Sequence, residues 1–219
     1  MLRAFIAPMV VALALTPACS SEIDGKPKAQ VEDVKKVEAK ADAKAEAKAE
    51  APAATRTLKL DKASSSFGFV GAKITGDHKG AFPEVEGEVV LAGDAPSSLR
   101  ITVQTGSVTS DDERLTGHLK SADFFDVEKF PTSTFTAKEF VAKPGDNGVT
   151  HEIGGELELH GVKKAIRFPA KVTVDAQGAK GQAEFTINRK DFGIVYPGKP
   201  DDLIKDEVLL KLDLTFKAA

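Results

Sequence analysis

ERLTGHLKSADFFDVEKFPTSTF, Glu113 to Phe135, sets the plan of this chain. Ser110 and the acidic pair Asp111–Asp112 precede good helix formers, which places negative charge near the positive end of a helix dipole. A short helix is therefore predicted near residues 111–122. Pro131 stops any helix from running through it and biases Phe130 to an extended conformation. After Pro131 the pattern is that of strands. The stretch is thus one helical excursion between two blocks of β structure. It carries the apolar anchors Leu119, Phe124, Phe125 and Phe135, which suit it to covering an opening in that structure.

Outward from this stretch, apolar residues recur at every second position. Val208, Leu210, Leu212, Leu214 and Phe216 form one row, with Lys211, Asp213, Thr215 and Lys217 on the other face. Ile166, Phe168, Ala170, Val172 and Val174 form another such row, and Ile153, Gly155, Leu157 and Leu159 a third. Val85, Gly87, Val89 and Leu91 oppose Glu84, Glu86 and Glu88. Leu99, Ile101 and Val103 follow, and further strands fit 64–73, 132–142 and 179–189. Turn signals such as Gly93–Asp94–Ala95–Pro96 and Lys143–Pro144–Gly145–Asp146–Asn147–Gly148 separate them. About eight one-sided antiparallel strands must close or stack to hide their apolar face. An eight-stranded antiparallel barrel is predicted over residues 56–219, with a two-sheet sandwich as the alternative. Inward glycines at 71, 87 and 155 mark either barrel curvature or room for a guest.

The chain has 219 residues, a formal charge of −3 and a pI near 5.9, so nothing in its charge favours nucleic acid. Residues 1–18 have one basic residue, Arg3, and an apolar run that is too short to span a bilayer. They read as a secretory signal peptide. The only cysteine, Cys19, follows directly and resembles the lipidated cysteine of bacterial lipoproteins. Leu15 stands four residues ahead of it, where those proteins favour three. Without lipidation the segment is an ordinary signal peptide with a stray thiol. Residues 19–55 then hold the lipidated cysteine and a Lys/Ala/Glu-rich tether. Like charges at i,i+4 weaken a helix there, so a solvated linker is predicted, at most ~120 Å long at about 3.3 Å per residue.

No catalytic constellation stands out, and no metal motif: His151–Glu152 begins none, because Gly155 occupies the place of a second histidine. Carboxylate pairs such as Asp201–Asp202 fall in loops. The apolar inventory says more. With 13 Phe, one Tyr and no Trp, the interior is dry. Parity turns Phe67, Phe69, Val89, Leu157, Phe168, Phe185 and Ile187 inward, and Phe124, Phe125 and Phe192 come from the two long connections. These residues either plug a packed core or wall a lipid-sized cavity. Arg189 continues the inward parity. Near a barrel end it must find an anion, such as Asp191, Asp206 or a ligand phosphate, or reach solvent.

HLKSADFFDVEKFPTSTF resembles the hallmark of the YceI-like family of polyisoprenoid-binding, lipocalin-like proteins. Gly155–Lys164 (GELELHGVKK) and Asn188–Gly193 (NRKDFG) support the resemblance, as does Asp206 with Val208. It covers about residues 57–217. It implies a lipocalin-like barrel, no enzymatic activity, no metal and no cofactor beyond a bound isoprenoid lipid. The lumen and cover residues named above would contact that lipid, with Arg189 and His118 as candidate head-group contacts. It also implies export to the periplasm, with a membrane contact through Cys19 and a second copy of the chain left open as a partner. An enzyme or redox accessory acting on an isoprenoid lipid is the alternative.

Overall fold

Eight antiparallel staves close around one apolar lumen. The computed structural model describes residues 21–34 and 54–218. Its strands are β1 (Gln30–Asp33), β2 (Thr55–Leu60), β3 (Ser66–Lys73), β4 (Gly76–Ala81), β5 (Val85–Ala92), β6 (Ala95–Gln104) and β7 (Thr109–Ser110). After helix α1 (Glu113–Lys120) come β8 (Thr132–Ala142), β9 (His151–Leu159), β10 (Val162–Val174), β11 (Gly178–Asn188), β12 (Gly198–Lys199) and β13 (Asp202–Ala218). Strands β2 and β3 are two lengths of one stave, interrupted by a 3₁₀ turn at Lys62–Ser64. Strands β4 and β5 form the next stave, bent at Phe82. The staves then follow in chain order through β6, β8, β9, β10 and β11 to β13.

Closure rests on β13. One edge pairs with β11 over its whole length, Gly178↔Lys217 to Asn188↔Glu207. The other edge pairs with β3, as in Leu210↔Phe69 and Val208↔Gly71, and with β2 at Phe216↔Leu60. A strand bonded on both edges to the two ends of the meander makes a barrel and excludes the sandwich. Local chemistry fits each turn. His160 and Gly161 both have positive φ, 52° and 73°, which gives the β9–β10 hairpin the handedness of its strands. At the start of α1 the Asp112 side chain accepts from the Leu115 N–H at 2.9 Å. The helix lies inside the predicted 111–122.

Two expectations need correction. The first stave begins at Thr55 rather than at residue 64, because Leu58 is buried beside β5. Also, residues 21–34 are not a solvated linker. Ile23, 5% exposed, packs on Val70, Ala72 and Leu209, which face away from the lumen. Those three are apolar on the face that parity assigns to solvent, so the outside of the barrel there needs a cover. Strand β1 pairs antiparallel with β10, Gln30↔Arg167 to Asp33↔Lys164. The signal peptide, Cys19 and residues 35–53 of the tether lie outside the described residues.

Candidate functional site: the barrel lumen

The lumen holds two adjoining cavities whose walls share Phe67, Val103, Ser133, Leu157 and Leu210. The half near α1 is walled by Phe67, Phe69, Phe82, Leu119, Phe124, Phe125, Leu157, Ile187 and Leu210. The far half is walled by Val89, Leu99, Ile101, Phe135, Phe168, Phe185, Leu212 and Phe216. The cavity volume is about 100 Å³ in the far half and about 140 Å³ in the near half.

Each wall residue owes its place to strand parity or to the α1 excursion. Phe82 forms the junction, with its ring 5.5 Å from Phe69, 6.0 Å from Phe67 and 5.3 Å from Phe125. Aromatic edges and faces at these spacings lock the cover onto the barrel end. In the far half Phe168 and Phe185 stack at 4.1 Å, and Phe135 leans on Phe168 at 5.5 Å. Two hydroxyls reach the wall, and both are engaged by backbone. Ser133 Oγ donates to the Glu158 carbonyl at 2.7 Å, and Thr105 Oγ1 to the Phe130 carbonyl at 2.6 Å. That leaves an apolar surface which cannot bond water, so water gains little by staying.

The glycines divide between the two expected roles. A Cβ at Gly71 would meet nothing within 4 Å, so its inward face adds open space to the lumen. A Cβ at Gly155 would lie 2.4 Å from the Thr136 carbonyl, and one at Gly87 2.5 Å from Ile101 Cδ1. These two permit close strand approach and curvature.

One charge stands on the wall of the near half. Arg189, 4% exposed, follows β11 in a 3₁₀ turn spanning Arg189–Phe192. Its Nε donates to the Lys205 carbonyl at 3.1 Å and one terminal nitrogen to the Ile194 carbonyl at 2.8 Å. The other stands 3.5 Å from Asp206, which Lys190 also holds at 2.9 Å. Burial lowers the Arg189 pKa, and the Asp206 charge opposes that. A guanidinium has five N–H donors, and these contacts engage three of them.

Of the residues singled out in the sequence, Phe67, Phe69, Val89, Leu119, Phe124, Phe125, Phe135, Leu157, Phe168, Phe185, Ile187 and Arg189 line the lumen. Phe192 does not: it is fully buried behind the wall, packed in the cluster of Ile166, Phe168 and Ile187. His118 does not either. Its Nε2 bonds Asp123 at 2.8 Å, and its ring stands edge-on to Phe124 and Tyr196 at 4.9 and 5.0 Å, bracing the cover from outside. The sequence reading missed Phe82 and Ile194. Phe82 sits next to Pro83 in a bend that shows no alternation. Among the described residues no group of three or more His, Cys, Asp or Glu could hold a metal ion.

Comparison with known proteins agrees with this architecture. A UPF0312 protein of Pectobacterium atrosepticum is 36% identical over 123 residues, covering 52% of this chain and 62% of its own length. One of Pseudomonas putida is 32% identical over 127 residues, covering 54% and 65%. The aligned region thus spans less than two thirds of either relative. Among solved structures, BcnA of Burkholderia cenocepacia superposes with a TM-score of 0.63 at 21% identity, over 71% of this chain and 98% of that one. A polyisoprenoid binding domain from Saccharophagus degradans gives 0.60 at 18% identity, over 74% and 98%. Both share the fold. Residues 58–216 match the family described as YceI-like domain, and with most of its barrel inside that match the chain belongs to the YceI-like family.

Proposed function

We propose that this protein binds or carries an isoprenoid-type lipid, a polyprenyl chain or an isoprenoid quinone, in its lumen on the periplasmic side of the bacterial envelope. The observation that carries the proposal is the lumen itself: two adjoining cavities, apolar along their walls, with one buried cation, Arg189, on the wall of the near one. A branched hydrocarbon tail fits that shape. Its affinity comes from area removed from water, about 25 cal/mol per Å². Arg189 is placed to meet a phosphate or a quinone oxygen at the head of the tail. The name of the Saccharophagus degradans neighbour points to the same ligand class. Export by residues 1–18 and lipidation at Cys19 would bring the barrel to the membrane where such lipids reside. Binding, rather than turnover, is the role that a wall without reactive groups supports.

Native mass spectrometry of the purified protein, followed by organic extraction, tests the proposal. A co-purifying polyprenyl or quinone mass is expected. An empty lumen that also refuses added polyprenyl lipid would overturn it, and turnover of the added lipid would favour an enzyme.

A further inference from the structure

Strands β10 and β11 do not close the barrel wall by themselves. They pair only at Lys171–Val174 with Gln182–Ala179. Towards the α1 end they part, and residues 27–33 fill the gap. On one side β1 pairs antiparallel with β10. On the other, Lys28 bridges Thr186 in the parallel sense. The Ala29 N–H donates to the Thr186 carbonyl at 2.9 Å, and the Thr186 N–H to the Pro27 carbonyl at 2.8 Å. Ala29 and Val31 turn inward onto the cluster of Ile166, Phe168, Phe185 and Ile187. The segment is a ninth stave, inserted between two antiparallel neighbours and therefore parallel to one of them.

The parting has a covalent cause. The Ala170 carbonyl accepts from the Thr150 N–H at 3.0 Å, and the Val172 N–H donates to Thr150 Oγ1 at 2.8 Å, both on the β9 side. Backbone groups of successive residues point to opposite edges of a strand. Pro169 therefore presents its missing N–H to the β11 side, where β10 behaves as an edge strand.

The ninth stave is fastened lightly. Most of its ion pairs lie at the surface: Lys28–Glu207 at 2.7 Å, Asp24–Lys205 at 2.8 Å, Asp33–Lys164 at 2.7 Å, Lys26–Glu184 at 2.5 Å and Glu22–Lys79 at 2.9 Å; Glu22 also bonds Lys211 in a half-buried position. Exposed pairs of this kind each contribute little and are screened by salt. Ile23 is its one fully buried apolar anchor. Segments with few buried apolar contacts open locally far more often than a core strand does.

We propose that residues 21–33 are a detachable stave closing a lateral seam between β10 and β11, through which a lipid tail enters and leaves the lumen sideways. The proposal rests on the reading of the lumen as a lipid site. The α1 end is closed by the packed rings of Phe82 and Phe125, so a long tail threading end-on must displace them. A lateral opening releases the whole tail at once.

The test locks the stave. Glu32 and Ala165 are Cα partners where the stave meets β10, and Lys28 and Thr186 are partners where it meets β11; paired strands lie about 4.5–5.5 Å apart, within disulfide reach. Cysteines are introduced at both pairs, Glu32→Cys with Ala165→Cys and Lys28→Cys with Thr186→Cys, in the full chain carrying Cys19→Ser, and uptake and release of dansyl-labelled geranylgeraniol are followed by stopped flow. The oxidised protein, bridged on both edges, should slow both rates about tenfold or more with unchanged affinity, because a gate alters the path and not the end states. Reductant should restore both, and Ile23→Asp, which loosens the stave, should speed both. Uptake and release at equal rates in the locked and reduced forms would overturn the seam while leaving the lumen reading intact. No uptake by any form would overturn the lumen reading, and the seam with it. Hydrogen exchange on ligand-free protein gives a second readout. The Ala29 and Thr186 amides should exchange well ahead of those joining β11 to β13; equal protection would overturn the detachable stave.

Discussion

Gly71 and Gly155 look alike in the alternating pattern and differ completely in what surrounds them. Gly71 faces empty lumen, whereas Gly155 lies against the β8 backbone. Gly71→Leu should therefore keep the fold, within about 0.5 kcal/mol of the parent, while filling space that the tail needs. The paired measurement is the denaturation midpoint of delipidated protein and the lipid retained on purification. Gly155→Ala should do the opposite. Its methyl would press on the Thr136 carbonyl, and such overpacking costs about 1–3 kcal/mol. A stable Gly155→Ala variant, or a Gly71→Leu variant that unfolds, would reverse the assignment of open and closed ground. Arg189 shows a related ambiguity. Parity placed it inward and the sequence offered Asp206 as its anion, but the carbonyls that hold it come from Ile194, in a connection, and from Lys205, where the register of β13 shifts between Ile204 and Val208.

The staves were legible as elements because each buries one face, and a pleated strand shows that as a period of two. Strand β4, GDHKGA, was not: its side chains are polar or absent, and it is a strand only because β3 and β7 pair with it. Strand β1 is harder still, four residues inside a charged segment. Its docking should depend on pH. Glu22 bonds Lys211 and Lys79, which bring its pKa from the usual 4.5 down to about 2. Asp24 beside Lys205 and Glu184 beside Lys26 shift in the same direction. A carboxylate held below its unfolded value stabilises the docked state above about pH 4.5 and loses that contribution as the pH falls towards 2. Protection of the Ala29 amide against hydrogen exchange, corrected for intrinsic rate, should fall between neutral pH and pH 3 while β11–β13 amides hold. A flat profile would show that the ion pairs do not fasten the stave.

Docking at Ser21 changes how the whole molecule would meet a membrane. Cys19 stands two residues ahead of the first described residue. A lipid there would hold the barrel within roughly 7 Å of chain at about 3.3–3.6 Å per residue, not at the end of a long tether. Cys19→Ser should move the protein from the membrane fraction to the soluble one; a wild-type protein already soluble in the periplasm would sink the anchor. For the lumen, affinity should rise with each added isoprene unit, by about 4 kcal/mol at most at roughly 0.8 kcal/mol per buried carbon. A titration with prenols of increasing length measures this, and affinity independent of length would place the tail outside the lumen. The sequence by itself determined the staves, their inward faces, the helical cover and the family. These are properties of neighbouring residues, imposed by the pleat and by the cap at Asp112. Only the tertiary structure decided that the inward face encloses a lumen, that Phe192 and His118 stand outside it, and that Gln30–Asp33 completes the wall beside Lys164–Arg167. The pairing partners of that last contact lie far apart along the chain. Space left between side chains and pairing across such separations leave no local period, so they exist only once the barrel has closed.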